Sequence, residues 1–363
     1  MMKLVRKKII FTLTFVLFVF ATISIFSASA ALADEALEKR VKTLEKHQGE
    51  LYKSLKEKKS PGHMQRIADN ISLGGLVEVE AFHESANDTT SGIVAATVEI
   101  AIDAEINENV NTHILLLWEE SGAIDMDEAT IEITTPYGMV ATLGKLYVPF
   151  GVFNSHFISD PMTLELGETN ESALLLSYEK DIFSGSIAIF NGGIDDTNDD
   201  VIDDYVLSVT ATPRKDLTVG ASLISDIAEG DLGLTGASTI DKVAGIGFSA
   251  TFEIDRFTIE GEYIGALEDF NVADLDVDGD GNGDRPSAFN LEVAYAVNDR
   301  LSVAGKYEAN NDMFDFPESQ IGAVASYELY DHTAVAIELL HGEFAMANLD
   351  DRDVLTAQIA VEF

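Results

Sequence analysis

The chain closes on Val354-Leu355-Thr356-Ala357-Gln358-Ile359-Ala360-Val361-Glu362-Phe363. Leu355, Ala357, Ile359, Val361 and Phe363 fall on one side of an extended strand, and Thr356, Gln358, Ala360 and Glu362 on the other. A terminus ordinarily frays into solvent and has no use for a two-residue period. One that keeps the period to its last residue reads as a strand whose two faces meet different surroundings.

The same period runs back to Ile71. Ile71, Leu73, Val77, Val79 and Ala81 alternate with Ser72, Glu78 and Glu80, and Val94, Ala96, Val98, Ile100, Ile102 and Ala104 with Thr97, Glu99, Asp103 and Glu105. Near the end, Phe289, Leu291, Val293 and Tyr295 alternate with Asn290 and Glu292. Connections discriminate better than strands. Short ones, such as Asn107-Glu108-Asn109, Lys180-Asp181, Asp255-Arg256 and Tyr330-Asp331-His332, have tight-hairpin chemistry. Between them lie longer polar stretches at about 83–92, 119–126, 150–172, 191–204, 226–241, 267–287, 310–319 and 341–353.

A soluble sandwich does not require short and long connections to alternate. A transmembrane β-barrel does, with strands of about 9–11 residues, short turns at one end and long loops at the other. Closure also removes the edge strands that invite aggregation. The expected fold is all-β: an antiparallel up-and-down outer-membrane barrel of about sixteen strands over residues 71–363. Phe252, Phe257, Tyr295, Tyr327 and Tyr330, beside short turns, suit an aromatic girdle facing outer-membrane lipid. A terminal Phe363 on such a strand resembles the signal by which the barrel assembly machinery recognises its substrates.

Charge is spread unevenly along the chain. Residues 1–66 contain 13 of the 23 Lys and Arg and six of the 63 Asp and Glu, leaving ten basic residues against 57 acidic ones beyond. That strongly negative part does not suit nucleic acid or an anionic membrane surface as partner. Cysteine is absent, so there is neither a disulfide framework nor thiol chemistry. The basic start MMKLVRKK, the apolar run that follows and the small-residue exit Ala31-Leu32-Ala33 predict a secretory signal over 1–33. The apolar run is also long enough for an uncleaved anchor. Leu37, Val41, Leu44, Gln48, Leu51 and Leu55 step by four and three, predicting a short periplasmic coiled coil over 34–60 that joins copies of the chain through residues 37–55. A solvated helical spacer has the same pattern. Ser60-Pro61-Gly62 ends it, and 61–70 is the linker.

On a barrel of this size the polar phase lines a water-filled lumen. Glu78, Glu80, Glu99, Asp103, Glu105, Glu132, Glu260, Glu262, Glu292, Glu308, Glu338 and Glu362 fall on that phase, with His113 and Lys306. In a dry interior so many like charges would be prohibitive, whereas in water they stay hydrated and attract cations. The expectation is a hydrated acidic wall with a weak cation preference. The third long stretch, after Lys145-Leu146-Tyr147-Val148-Pro149-Phe150, has no carboxylate before Asp160. Folded into the mouth it would narrow the channel with Phe150, Asn154, His156, Asp160 and Glu168; left outside it is an ordinary loop.

The run GKLYVPFG at 144–151, with Asp160-Pro161 and Glu168-Thr169 downstream, resembles the signature segment of LbtU-type siderophore porins. The resemblance extends to a signal, a short coil and a barrel. It implies passive passage of iron-chelating siderophores across the outer membrane without a plug domain, and it carries over no substrate-contacting residues. A general diffusion porin for small polar solutes and a barrel that ties the envelope to the wall remain the alternatives.

Asp276, Asp278, Asp280 and Asp284, with Gly281 at the sixth position, match the start of a calcium loop. The twelfth position is Ser287 rather than glutamate, and the flanks read as strands, so a bound Ca2+ and an ion-free acidic loop both fit. Asp195, Asp196, Asp199, Asp200, Asp203 and Asp204 read as a second solvated acidic loop. No nucleophile elbow, zinc-protease motif or phosphate-binding loop occurs, so neither enzymatic activity nor a required cofactor is expected.

Overall fold

A computed structural model of the chain describes residues 70–86, 89–120, 122–194, 201–235, 239–344 and 350–363. The expected signal, coil and all but the last linker residue lie outside the described residues, as do Asp195, Asp196, Asp199 and Asp200. Sixteen strands follow in chain order. They are β1 (Ile71–Ser85), β2 (Thr89–Asn107), β3 (Val110–Trp118), β4 (Asp125–Thr134), β5 (Met139–Tyr147) and β6 (Asn170–Lys180). Next come β7 (Phe183–Phe190), β8 (Asp204–Arg214), β9 (Leu217–Ile224), β10 (Gly245–Ile254) and β11 (Phe257–Ala266). The last are β12 (Ser287–Ala296), β13 (Leu301–Asn311), β14 (Ser319–Tyr330), β15 (Thr333–Glu343) and β16 (Arg352–Glu362). Each pairs antiparallel with its neighbours in sequence, and β1 pairs with β16 to close the barrel.

The faces are inverted relative to a soluble protein. Leu73, Ile100, Ile131, Leu143, Ile187, Leu207, Phe248, Leu291, Ile337 and Ile359 lie exposed on the outside. The polar alternates point inward, as the strand period requires. Phe257 and Tyr295 meet at 4.7 Å between ring centroids beside the short-turn end, where Phe183, Tyr327 and Tyr330 are also exposed.

Two expectations need correction. Instead of a long loop at 83–92, only residues 86–88 separate β1 from β2, because Glu84↔Thr90 and Ser85↔Thr89 extend the ladder through polar residues. Backbone pairing does not end where apolar alternation does. In β2, Glu78 pairs with Thr97 but Val79 with Ala95, so Ala96 is bulged out. One extra residue exchanges the faces beyond it. Val94 therefore sits in the inward row beside Glu80, and Ile93 and Ala95 take the outward row with Ala81 and Val79.

The seam explains the last residue. Phe363 N donates to Gly75 O at 3.0 Å and Gly75 N to Phe363 O at 2.9 Å. A Cβ on Gly75 would strike the Phe363 ring. Deleting Phe363 removes both bonds, a loss of about 1–3 kcal/mol. The urea midpoint of the refolded barrel should fall accordingly; an unchanged midpoint would show that closure does not depend on this pair.

Candidate functional site

Between β5 and β6 the chain makes a 148–169 excursion into the barrel, which decides between an inward and an outward loop. The GKLYVPFG run is its hinge. Gly144 has φ +135°, and a Cβ there would collide with the Ala129 carbonyl; Gly151 has φ +90°. Tyr147 OH donates to Asp127 Oδ1 at 2.9 Å, and Asn170 Nδ2 to Asp127 O at 3.0 Å, so one residue of β4 holds both ends. Val148 N to Thr169 O, 3.0 Å, ties the ends together. Phe150, expected in the constriction, is buried instead in the core that the loop's Leu166 forms with Ile224 and Ile227.

A loop inside a barrel must satisfy its backbone donors there. Wall carboxylates do this. Glu262 accepts from Val152 N (2.7 Å), Phe153 N (3.0 Å) and Thr163 Oγ1 (3.0 Å). Glu292 accepts from Ser155 Oγ (2.7 Å) and His156 N (2.8 Å). At the loop's far reach Glu338 takes Ile158 N (2.7 Å) and Ser159 N (3.1 Å). Glu308 accepts from Met162 N at 2.9 Å, where Pro161 opens the short helix α1 (Met162–Gly167). Charge-assisted bonds of this kind are about twice as strong as neutral ones.

These glutamates are therefore not the hydrated pore wall expected of them. Glu292, Glu308 and Glu338 are no more than 1% exposed, and Glu260 and Glu262 are buried. Lys306 is buried with them, because the loop lies over all six. Its Nζ stands 3.0 Å from Glu308 Oε2, 3.1 Å from Ser159 Oγ and 4.6 Å from the centre of the Phe157 ring. His156 Nε2 lies 3.0 Å from Glu260 Oε2, an ion-pair contact whose angle falls short of a hydrogen bond. The Glu260 carboxylate raises the imidazole above its ordinary pKa.

Glu78, Glu80, Glu99, Asp103, Glu105 and His113 stay on the uncovered inner face of β1–β3, half-exposed or exposed. His113 Nδ1 is 2.7 Å from Asp103 Oδ1, and Gln358 donates to Glu80 at 2.9 Å. Facing them, the loop presents exposed Asp160 and half-exposed Glu165 and Glu168, while exposed Asn154 stands beside Ser249, Thr251 and Glu260. Burial raises the pKa of Glu165 and Glu168. Repulsion from Asp231, Asp160, Asp127 and Glu165 adds to it at Glu168, which is pushed up to about 7.

Away from the lumen, one carboxylate oxygen each of Asp276, Asp278 and Asp284 lies within 4.8 Å of the others. Asp280 stands outside that group, capping Asn282 N at 2.7 Å, so the four-aspartate set reduces to three. At the loop's exit a buried group corrects the reading of Asp204 as part of a solvated loop, since it is 2% exposed, and adds Asp226 and Glu229, which sequence reasoning missed. Asp204 accepts from Ser225 Oγ and Lys242 Nζ at 2.8 Å, Asp226 caps Ala228 N at 3.0 Å, and Glu229 takes Gly193 N at 2.7 Å. Asp231 N then donates to Glu168 O at 2.8 Å.

No family model matches the chain. A UPF0422 protein of Legionella pneumophila strain Paris is 24% identical over 318 residues, covering 75% of this chain and 58% of that protein. One from Coxiella burnetii is 28% identical over 168 residues, 42% of this chain and 36% of its own length. The chain thus spans a little over half the length of the Legionella relative. Among solved structures, the outer membrane channel DcaP of Acinetobacter baumannii superposes with TM-score 0.57 at 13% identity, over 81% of this chain and 97% of that one. Salmonella typhi OmpF, in complex with daunomycin, gives 0.60 at 10% identity, over 81% and 98%. At these identities the likeness is one of fold: a porin-type barrel.

Lys306→Met should release the loop. Leaving Glu308 and Glu338 buried without their cation costs roughly 3–5 kcal/mol. Expected are a larger and noisier single-channel conductance and faster proteolysis within 152–163; wild-type conductance would mean that the backbone bonds alone hold the loop.

Proposed function

We propose that the barrel spans the outer membrane and is a passive, cation-preferring diffusion channel. The observation that carries this reading is the inward loop. It narrows the lumen to the side where half-exposed and exposed carboxylates of β1–β3 face Asp160, Glu165 and Glu168. Charged rings at a constriction set ion preference. The apolar exterior and the likeness to porin-type barrels support the membrane placement. In bilayers under a KCl gradient, the reversal potential should favour K+; a Cl−-selective potential would overturn the reading.

The resemblance to siderophore porins supports a finer reading, in which ferric siderophores are the cargo. The acidic constriction admits those whose ligands cancel the charge of the metal and do not exceed it. Loaded proteoliposomes should pass a ferric tris-hydroxamate faster than a ferric tris-catecholate, which stays anionic. Equal exclusion of both leaves general diffusion as the function.

Cation preference should also depend on pH. A carboxyl raised to about 7 loses its charge as pH falls through that value, so selectivity should decline between about pH 8 and 6. Glu168→Gln should lower selectivity at pH 8 and flatten this dependence. A profile unchanged by that substitution would remove Glu168 from the selectivity ring.

A further inference from the structure

The inner wall is divided lengthwise, and its two sides differ in chemistry. On β1–β4, Glu78, Glu80, Glu99, Asp103, Glu128 and Glu132 point inward, and residues 71–134 contain no Lys or Arg. On β6–β10 the inward row nearest the loop, Leu175, Ala188, Val206 and Ile224, is apolar, and the rows nearer the short turns carry hydroxyls. The register carries Ser177 to Ser186 and on to Ser208, and sets Thr210 and Ser249 on either side of Gly220, with Thr251 in the next inward row.

These six hydroxyls are half-buried rather than enclosed. None makes a hydrogen bond to another described residue. Ser222, by contrast, accepts from Gly151 N at 3.1 Å, and Glu262 is taken up by the loop. Glu260, opposite Thr251, lies against His156, and the remaining inward carboxylates near the panel, Glu179 and Glu253, sit at the short-turn rim. The panel thus offers unspent donors and acceptors on neutral side chains, whereas the β1–β4 wall is dominated by carboxylates, with Thr97, Asn111, His113 and Thr130 among them.

We infer that the lumen selects solutes carrying both a cationic group and several hydroxyls, of the amino-sugar or aminocyclitol class. The ammonium follows the acidic wall while the hydroxyls exchange hydrogen bonds with the serine and threonine panel. A cation of the same size without hydroxyls uses one wall; a neutral sugar uses the other. This inference rests on the channel reading above and names its solute class.

The test is permeation into proteoliposomes holding the full chain, followed by swelling at matched osmolarity and ionic strength. The solutes are glucosamine, glucose, glucuronate and a tetraalkylammonium ion of similar size. Glucosamine should enter fastest, about threefold or more above glucose, with glucuronate slowest. Glu99→Gln with Asp103→Asn should slow glucosamine and the tetraalkylammonium ion alike. Ser186→Ala, Ser208→Ala and Thr210→Val together should slow glucosamine by about threefold relative to the tetraalkylammonium ion. If the hydroxyl-free variant slows both cations equally, or neither, the inference is overturned while the cation channel stands. If no solute of any class enters wild-type vesicles, the channel reading falls and this inference with it.

Discussion

A segment carried into the middle of a barrel brings its backbone N–H groups with it, and each must find an acceptor away from bulk water. Glu262, Glu292, Glu338 and Glu308 are those acceptors for Val152, Phe153, His156, Ile158, Ser159 and Met162. The other features of the site follow from that requirement. Four buried carboxylates need compensating charge, which Lys306 supplies beside Glu308, in contact with the loop's Ser159 and Phe157. The two ends of the segment need anchoring, which Asp127 supplies through Tyr147 and Asn170.

Because the acceptors lie on β11, β12, β13 and β15, the loop crosses one side of the interior and leaves β1–β4 uncovered. The same residue type then has two roles. Glutamates under the loop spend their lone pairs on its backbone N–H groups. Those on β1–β4 stay on the wall that the loop leaves uncovered. The asymmetry of the lumen is a consequence of where the loop is bonded, and the hydroxyl panel on β6–β10 completes it.

Much of this was legible in the residues. Strand count, antiparallel order, inward and outward faces, and the outward placement of Leu355 to Phe363 follow from a two-residue period and from alternating turn lengths. The exceptions have local causes. Ala96 carries no mark of a bulge, since the bulge answers the register with β1, a strand that the local pattern of β2 does not record. The first outer connection looked long because Ser85, Thr89 and Thr90 are polar, yet they pair in the ladder. The division of the glutamates was not legible either: Glu99 and Glu292 have similar sequence surroundings, and only the path of residues 148–169 separates them.

The sequence by itself determined that this chain is a closed barrel with an apolar exterior and a charged interior. Strand periodicity is a one-dimensional property, and each residue's face depends only on its count along the chain. Tertiary structure alone decided which charges remain available to a solute. That depends on hydrogen bonds between residues more than a hundred positions apart, such as Val152 with Glu262 and Ile158 with Glu338, and no local pattern records them.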